Sequence, residues 1–488
     1  MPTSFAIVET YLASLRASRW IIAASAAALI WTAAAPNAVR GQTAQASDVD
    51  GLSRLAIQQE LQLDRLTTQT HLQNDINTLN KRRRQFLWGF ANGAATEAGL
   101  IDATALFFSH SKHRDVKTVE RLPDGSERIK VEGKSNAVSP QENAGQLLPQ
   151  IIGQEVNAAG DMYELTSNLI FRVQAHKKHL DPKSSLRRAK KLQAELDRTL
   201  TQRDIAVAQI AGNRQAYEAE GVVLKDLQSA LLAEYERVYV GARREFAWQH
   251  TMDTIDLTRN TVGAIGNQMS LHATYIHNNG WNGTGNLLSL LSAIGITTRP
   301  WISLAVSQWD AQHAFAHVTR ELPPVNPELA RSPEIVQRDE DQLKRLLSPN
   351  SEMQARSESL SVEGHLLDQQ TALAEMEQQS FHSGRAEALL RHSMYGPTKM
   401  ANSTIAVIAD YSNIKDRTKT NRWQAAGNLT YTCGQGLNLI EMIRNRVTDE
   451  ARSYRLQEEG QTHKQLLNSR LEALDDLIAK TRPASVPN

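Results

Sequence analysis

The sequence predicts an all-α, elongated protein of antiparallel helical hairpins packed as a coiled-coil bundle, with a small β-hairpin insertion. Three observations carry this. Aromatic residues are 6% of the 488, and Ala, Leu, Gln, Glu and Arg recur, residues that lose little freedom on entering a helix. Apolar residues return at steps of three and four over long stretches, a helical period. An order of long helix, Gly-rich apolar zone, polar tip, apolar zone and returning helix is repeated along the chain.

The repeat is visible residue by residue. Asn279–Leu287 and Asn421–Leu429 share Asn-x-Trp-x-x-x-Gly-Asn-Leu, and Arg83-Arg84-Gln85-Phe86-Leu87-Trp88 echoes Arg243-Arg244-Glu245-Phe246-Ala247-Trp248. The repeat nominates Trp281, Asn286, Leu287, Trp423, Asn428 and Leu429 as interaction residues at hairpin tips.

Residues 1–46 read as a secretory signal peptide. Arg16 and Arg19 precede an apolar run from Trp20 to Ala35, and Ala44-Gln45-Ala46 offers an A-x-A cleavage site. The run is short against the ~20 residues that span a bilayer. Removing Arg16, Arg19, Arg40 and Glu9 from 54 basic and 53 acidic residues leaves a mature net charge of −1. That excludes the strongly basic face of a nucleic-acid binder. Cys433 is the one cysteine, so no internal disulfide forms. Together these predict export to the periplasm or envelope of a bacterium, in association with its outer membrane.

The first hairpin is expected over 47–180. It is helical from Asp48 to Phe108, and carries a β-hairpin near 115–132, where Asp124-Gly125 separates two alternating runs. The second, 184–322, has one continuous helix with a coiled-coil stripe from Leu186 to Phe246, extending to Ile276. Arg299-Pro300 halts the apolar run Leu287–Ile296. Residues 323–350 are a proline-containing linker with a short helix. The third hairpin, 351–482, is interrupted at Gly396-Pro397 and closes on one amphipathic helix from Ile443 to Ile478. Residues 483–488 form a disordered tail.

Catalytic chemistry finds no foothold. No phosphate-binding loop, nucleophile elbow or dinucleotide fingerprint occurs. Asp310, His313 and His317 share a helical face, but without H-E-x-x-H they read as packing. Cys433 reads as a buried, inert thiol. No enzyme activity, metal or cofactor is predicted. The expectation is a scaffold or assembly protein of the envelope, self-associating and binding other envelope proteins through coiled-coil faces. The alternative is a pore-forming or membrane-remodelling protein that inserts its apolar tips. Glu97, Asp102, Asp253, Asp256, Arg259, Arg299 and Asp410 weigh against it, since a charge at mid-bilayer costs about 2.5–3.5 kcal/mol. On that count the Gly/Ala-rich zones should form an apolar bundle core.

Overall fold

A computed structural model describes residues 46–75, 79–111, 115–121, 127–133, 139–210, 214–276, 278–324, 333–347, 351–411 and 417–481. In order these form α1 (Ala46–Asn74), α2 (Leu79–His110), β1 (Asp115–Arg121), β2 (Glu127–Gly133), α3 (Pro140–Lys177), α4 (Pro182–Ala208) and α5 (Arg214–Tyr275). The chain continues through α6 (Asn279–Glu321), α7 (Pro333–Leu346), α8 (Ser351–Tyr411), α9 (Arg417–Glu458) and α10 (His463–Thr481). The expected signal peptide, the Asp124-Gly125 turn and the tail lie outside these residues. β1 and β2 pair antiparallel, from Asp115 opposite Gly133 to Arg121 opposite Glu127.

Local chemistry sets several helix ends. Ser139 Oγ accepts from the Glu142 amide at 3.2 Å while the Glu142 carboxylate accepts from the Ser139 amide at 2.8 Å, a capping box ahead of α3. Asp181 caps α4 by accepting from the Ser184 amide, with Pro182 at the first helical position. Asn278 Oδ1 accepts from the Gly280 and Trp281 amides at the start of α6.

Three helix expectations are corrected. The long helix from 184 to 276 divides into α4, which ends at Ala208, and α5, which starts at Arg214. The final helix divides at Gly460, whose φ of +66° is open to glycine without a Cβ clash. Conversely, α6 runs through Pro300 and α8 through Pro397. Each proline removes one backbone bond, and neighbouring helices packed along both sides hold the helix across the gap.

The helix pairs run antiparallel, as matched contacts show. Along α2 and α3, Arg84 meets Glu164 and Lys81 meets Asn168. Along α5 and α6, Asp256 meets Arg299 and Arg243 meets Asp310. Along α8 and α9, Tyr395 meets Tyr431 and Glu387 meets Asn445. The same antiparallel matching joins α3 to α5 (Asn168 to Asp253, Asn143 to Thr274) and α6 to α8 (Arg299 to His392, Asn282 to Asp410). It also joins α9 back to α2 (Arg83 to Glu450). Six helices therefore close a ring in the order α2, α3, α5, α6, α8, α9. Helix direction alternates round it, so the connections after α2, α5 and α8 share one end.

The opposite end is a conventional bundle. There α1, α4, the first half of α5, the end of α6, α7, the start of α8 and α10 bury Ile57, Leu61, Leu196, Leu227, Leu231, Val318, Leu360 and Leu474 in one cluster. Each such side chain contributes about 1.5–3 kcal/mol on burial. This apolar core anchors the ring.

Candidate functional site

The ring inverts the usual arrangement of a bundle. On α5 the buried stripe is Asp253, Asp256, Asn260, Gly263, Asn267 and Ser270, stepping by three and four as a coiled-coil seam does, but polar. On α3 it is Gln146, Gln154, Asn157, Glu164 and Asn168. Ser292, Ser303 and Ser307 are buried on α6, His392, Lys399 and Ser403 on α8, and Asn421, Asn428 and Gln435 on α9. Gly and Ala residues are buried between the ring helices, among them Gly153, Gly160, Ala264, Gly266 and Ala293 with Leu100 and Ile296, but the interior they share is polar as well as apolar. Small residues let backbones approach: a Cβ at Gly285 would overlap Ser270 and sit 2.5 Å from the Gly266 carbonyl.

Many of these inward groups bond one another, while Ser270, Ser303 and Gln435 each keep a buried side-chain oxygen without a partner among the described residues. Asp256 accepts from Arg259 Nε and Arg299 Nη2, both at 2.6 Å. Asp253 takes Lys81 at 3.4 Å, Asn168 at 3.0 Å and Gln85 at 3.1 Å. Asp161 accepts from Asn260 at 2.9 Å and Asn157 at 3.3 Å. Lys399 donates to Ser292, and the Tyr395 and Tyr431 hydroxyls lie 3.0 Å apart. Nearer the tips, Asp410 accepts from Asn282 and Asn286.

All six ring helices line one cavity of about 710 Å³. It begins at the bundle end, beside His71, Asp75 and His463, and rises to a ceiling at Asn92, Asp161, Arg259, Arg299, Tyr395 and Gln435. Above that level the interior is occupied by the paired side chains just described.

The outside of the ring is apolar. Leu87, Ile101, Ile152, Met162, Ile265, Leu291, Ile294, Met394, Ile408, Leu437 and Ile440 are exposed, and none lines the cavity. On α9 no charged residue occurs from Trp423 to Ile440, about 27 Å of helix. Phe108, Tyr275, Trp281, Tyr411 and Trp423 are exposed at the tip end, and Tyr163 and Trp301 toward the bundle end. Asp102, Glu155 and, next to Ile440, Glu441 are exposed carboxylates on this outer face, Glu155 accepting from Gln268 at 2.7 Å and Glu441 from Arg444 at 3.2 Å. α6 from Gly280 is long and apolar enough to cross a membrane by length and composition.

The repeat residues divide by face. Trp281, Leu287, Trp423 and Leu429 point outward, about half exposed. Asn286 and Asn428 point into the helix contacts. The two sets do not form one site, because α8 stands between α6 and α9. Cys433 corrects its reading too: it is exposed on the outer face of α9. Asp310 pairs with Arg243, while His313 and His317 are exposed.

The polar stripes lie outside the apolar periodicity from which the helices are predicted. Asp253, Asp256, Asn260, Asn267 and Ser270 carry their own heptad spacing in the sequence. The chain matches no protein family, and no curated protein or solved structure is similar to it.

Proposed function

We propose that this chain is a membrane-inserted helical barrel, a pore-forming protein of the cell envelope in a closed form. One observation carries the reading: the six ring helices bury charge and expose hydrocarbon. Of the charges that argued against insertion, Asp253, Asp256, Arg259 and Arg299 face inward and are ion-paired, and Asp410 is hydrogen-bonded. These escape the mid-bilayer penalty, whereas Glu97 has no ion pair among the described residues and Asp102 is exposed and keeps it. More than twenty exposed apolar side chains, on the order of 80 Å² each, exceed the ~300–600 Å² patch of an ordinary soluble monomer. Exposed aromatics at both edges suit the two membrane interfaces, and a belt of about 27 Å suits the ~30 Å hydrocarbon core. The cavity supplies a polar vestibule, with the ion-paired layer above it as the closure. The predicted signal peptide would deliver the chain to the envelope, and the bundle end would remain in water.

The experiment uses Cys433, the sole cysteine and a belt residue. A nitroxide attached there is measured in proteoliposomes for collision with oxygen and with a water-soluble nickel chelate. High oxygen and low nickel collision supports lipid contact. Low collision with both means that protein covers the belt, which returns the coiled-coil scaffold and self-association reading. High nickel collision rejects both.

A further inference from the structure

The cavity ceiling gathers the guanidinium groups of Arg259, Arg299 and Arg391 beside the carboxylates of Asp161 and Asp256. Arg259 and Arg299 both bond Asp256, and Arg299 Nη1 lies 3.0 Å from His392 Nε2. Arg299 Nε is nonetheless a buried donor with no acceptor. Arg391, next to His392 on α8, lines the same cavity and has no hydrogen bond or ion pair among the described residues. Its nearest carboxylate along the helix, Glu387, feels the Arg391 charge without a hydrogen bond to it and accepts from Asn445. Asp161, the other acid of this layer, takes its hydrogen bonds from Asn157 and Asn260.

Arg299 Nε and the Arg391 guanidinium thus lack a hydrogen-bond acceptor at the end of one polar cavity. We propose that the vestibule ceiling binds a small oxyanion, free phosphate or sulfate or a carboxylate on a small molecule, between Arg391 and Arg299. Guanidinium groups present paired donors that match such oxygens, and an enclosed site strengthens each charge-assisted bond. In a conducting form the same groups would favour anions over cations. The site rests on the cavity of the barrel and does not depend on what covers the belt.

The test titrates inorganic phosphate and sulfate into the full chain in detergent, by calorimetry and by thermal unfolding, with chloride at equal ionic strength as reference. Saturable phosphate or sulfate binding is expected. Arg391→Met should weaken it by about tenfold or more, and Arg391→Lys by less. Without oxyanion, Arg391→Met should unfold at a higher temperature than wild type, because like charges at the ceiling are relieved. Stabilisation by phosphate and sulfate no greater than by chloride would overturn the site, as would undiminished binding by Arg391→Met. Binding in detergent together with a water-exposed Cys433 label would keep the site and reject the membrane reading.

Discussion

At the scale of single residues, the bundle end carries an unusual cost. Glu60 and Glu363 are fully buried, and their carboxylate oxygens have no hydrogen-bond partner among the described residues. Burial, and next the neighbouring Glu363, holds the Glu60 carboxyl well above the usual range; burial, and next Asp64, does the same to Glu363. A carboxyl whose folded pKa is raised favours the folded state while protonated, and that contribution is lost as pH rises through the folded value. Stability should therefore fall from mildly acidic toward alkaline pH, and Glu363→Gln should flatten the decline and raise the unfolding midpoint at pH 8. A midpoint lowered by Glu363→Gln at pH 8 would show that the ionised form is the stabilising one. Arg203 differs: it is buried yet bonded to Ser53, Tyr217 and Glu220. Removing it should cost about 1.5–3 kcal/mol, the worth of a charged hydrogen bond and not that of an orphaned charge, because Glu220 keeps Arg356 at 2.8 Å.

At the scale of elements, helix contacts in the ring depend on glycine at chosen places. Gly266 and Gly285 face each other across α5 and α6, where a Cβ on either meets backbone. Gly285→Val should destabilise by about 1–3 kcal/mol through overpacking. Gly51, in α1, has open space where its Cβ would be. Gly51→Ala should stabilise by about 0.5–1 kcal/mol, since only the backbone entropy term operates. Chemical unfolding of both variants checks the pair, and equal effects would mean that propensity, not close approach, sets both. Helix identity was legible from apolar spacing, whereas the caps Ser139 and Asp181 emerged only in the structure. The continuity of α6 and α8 through proline was not legible, because packing on flanking helices decides whether one lost bond ends a helix.

At the scale of the whole molecule, the proposed reading has one chain serve two solvents. The bundle end hides Leu227 and Leu231 from water, while the ring hides Asp253 and Asp256 and presents Ile294 and Leu437. Leu437→Arg places a charge in the belt and should cost about 2.5–3.5 kcal/mol of insertion, roughly a hundredfold in partition. Liposome flotation measures this directly, with Leu227→Ala as a variant that lowers stability by about 2–5 kcal/mol without changing partition. Leu437→Arg floating like wild type would remove the belt from the membrane reading.

The sequence by itself determined that the chain is helical, where most hairpins turn, and that Trp281 and Trp423 hold equivalent places in a repeat. These rest on local propensity and spacing, which act over a few residues. Tertiary structure alone decided which way each stripe faces. Asp256 and Arg299 are forty-three positions apart and count as two charges in a linear sum. Antiparallel packing of α5 on α6 sets them 2.6 Å apart, inside a ring whose outer surface is hydrocarbon. A helix has a polar face and an apolar face whichever solvent it meets, and only closure of the ring fixed which of them turned inward.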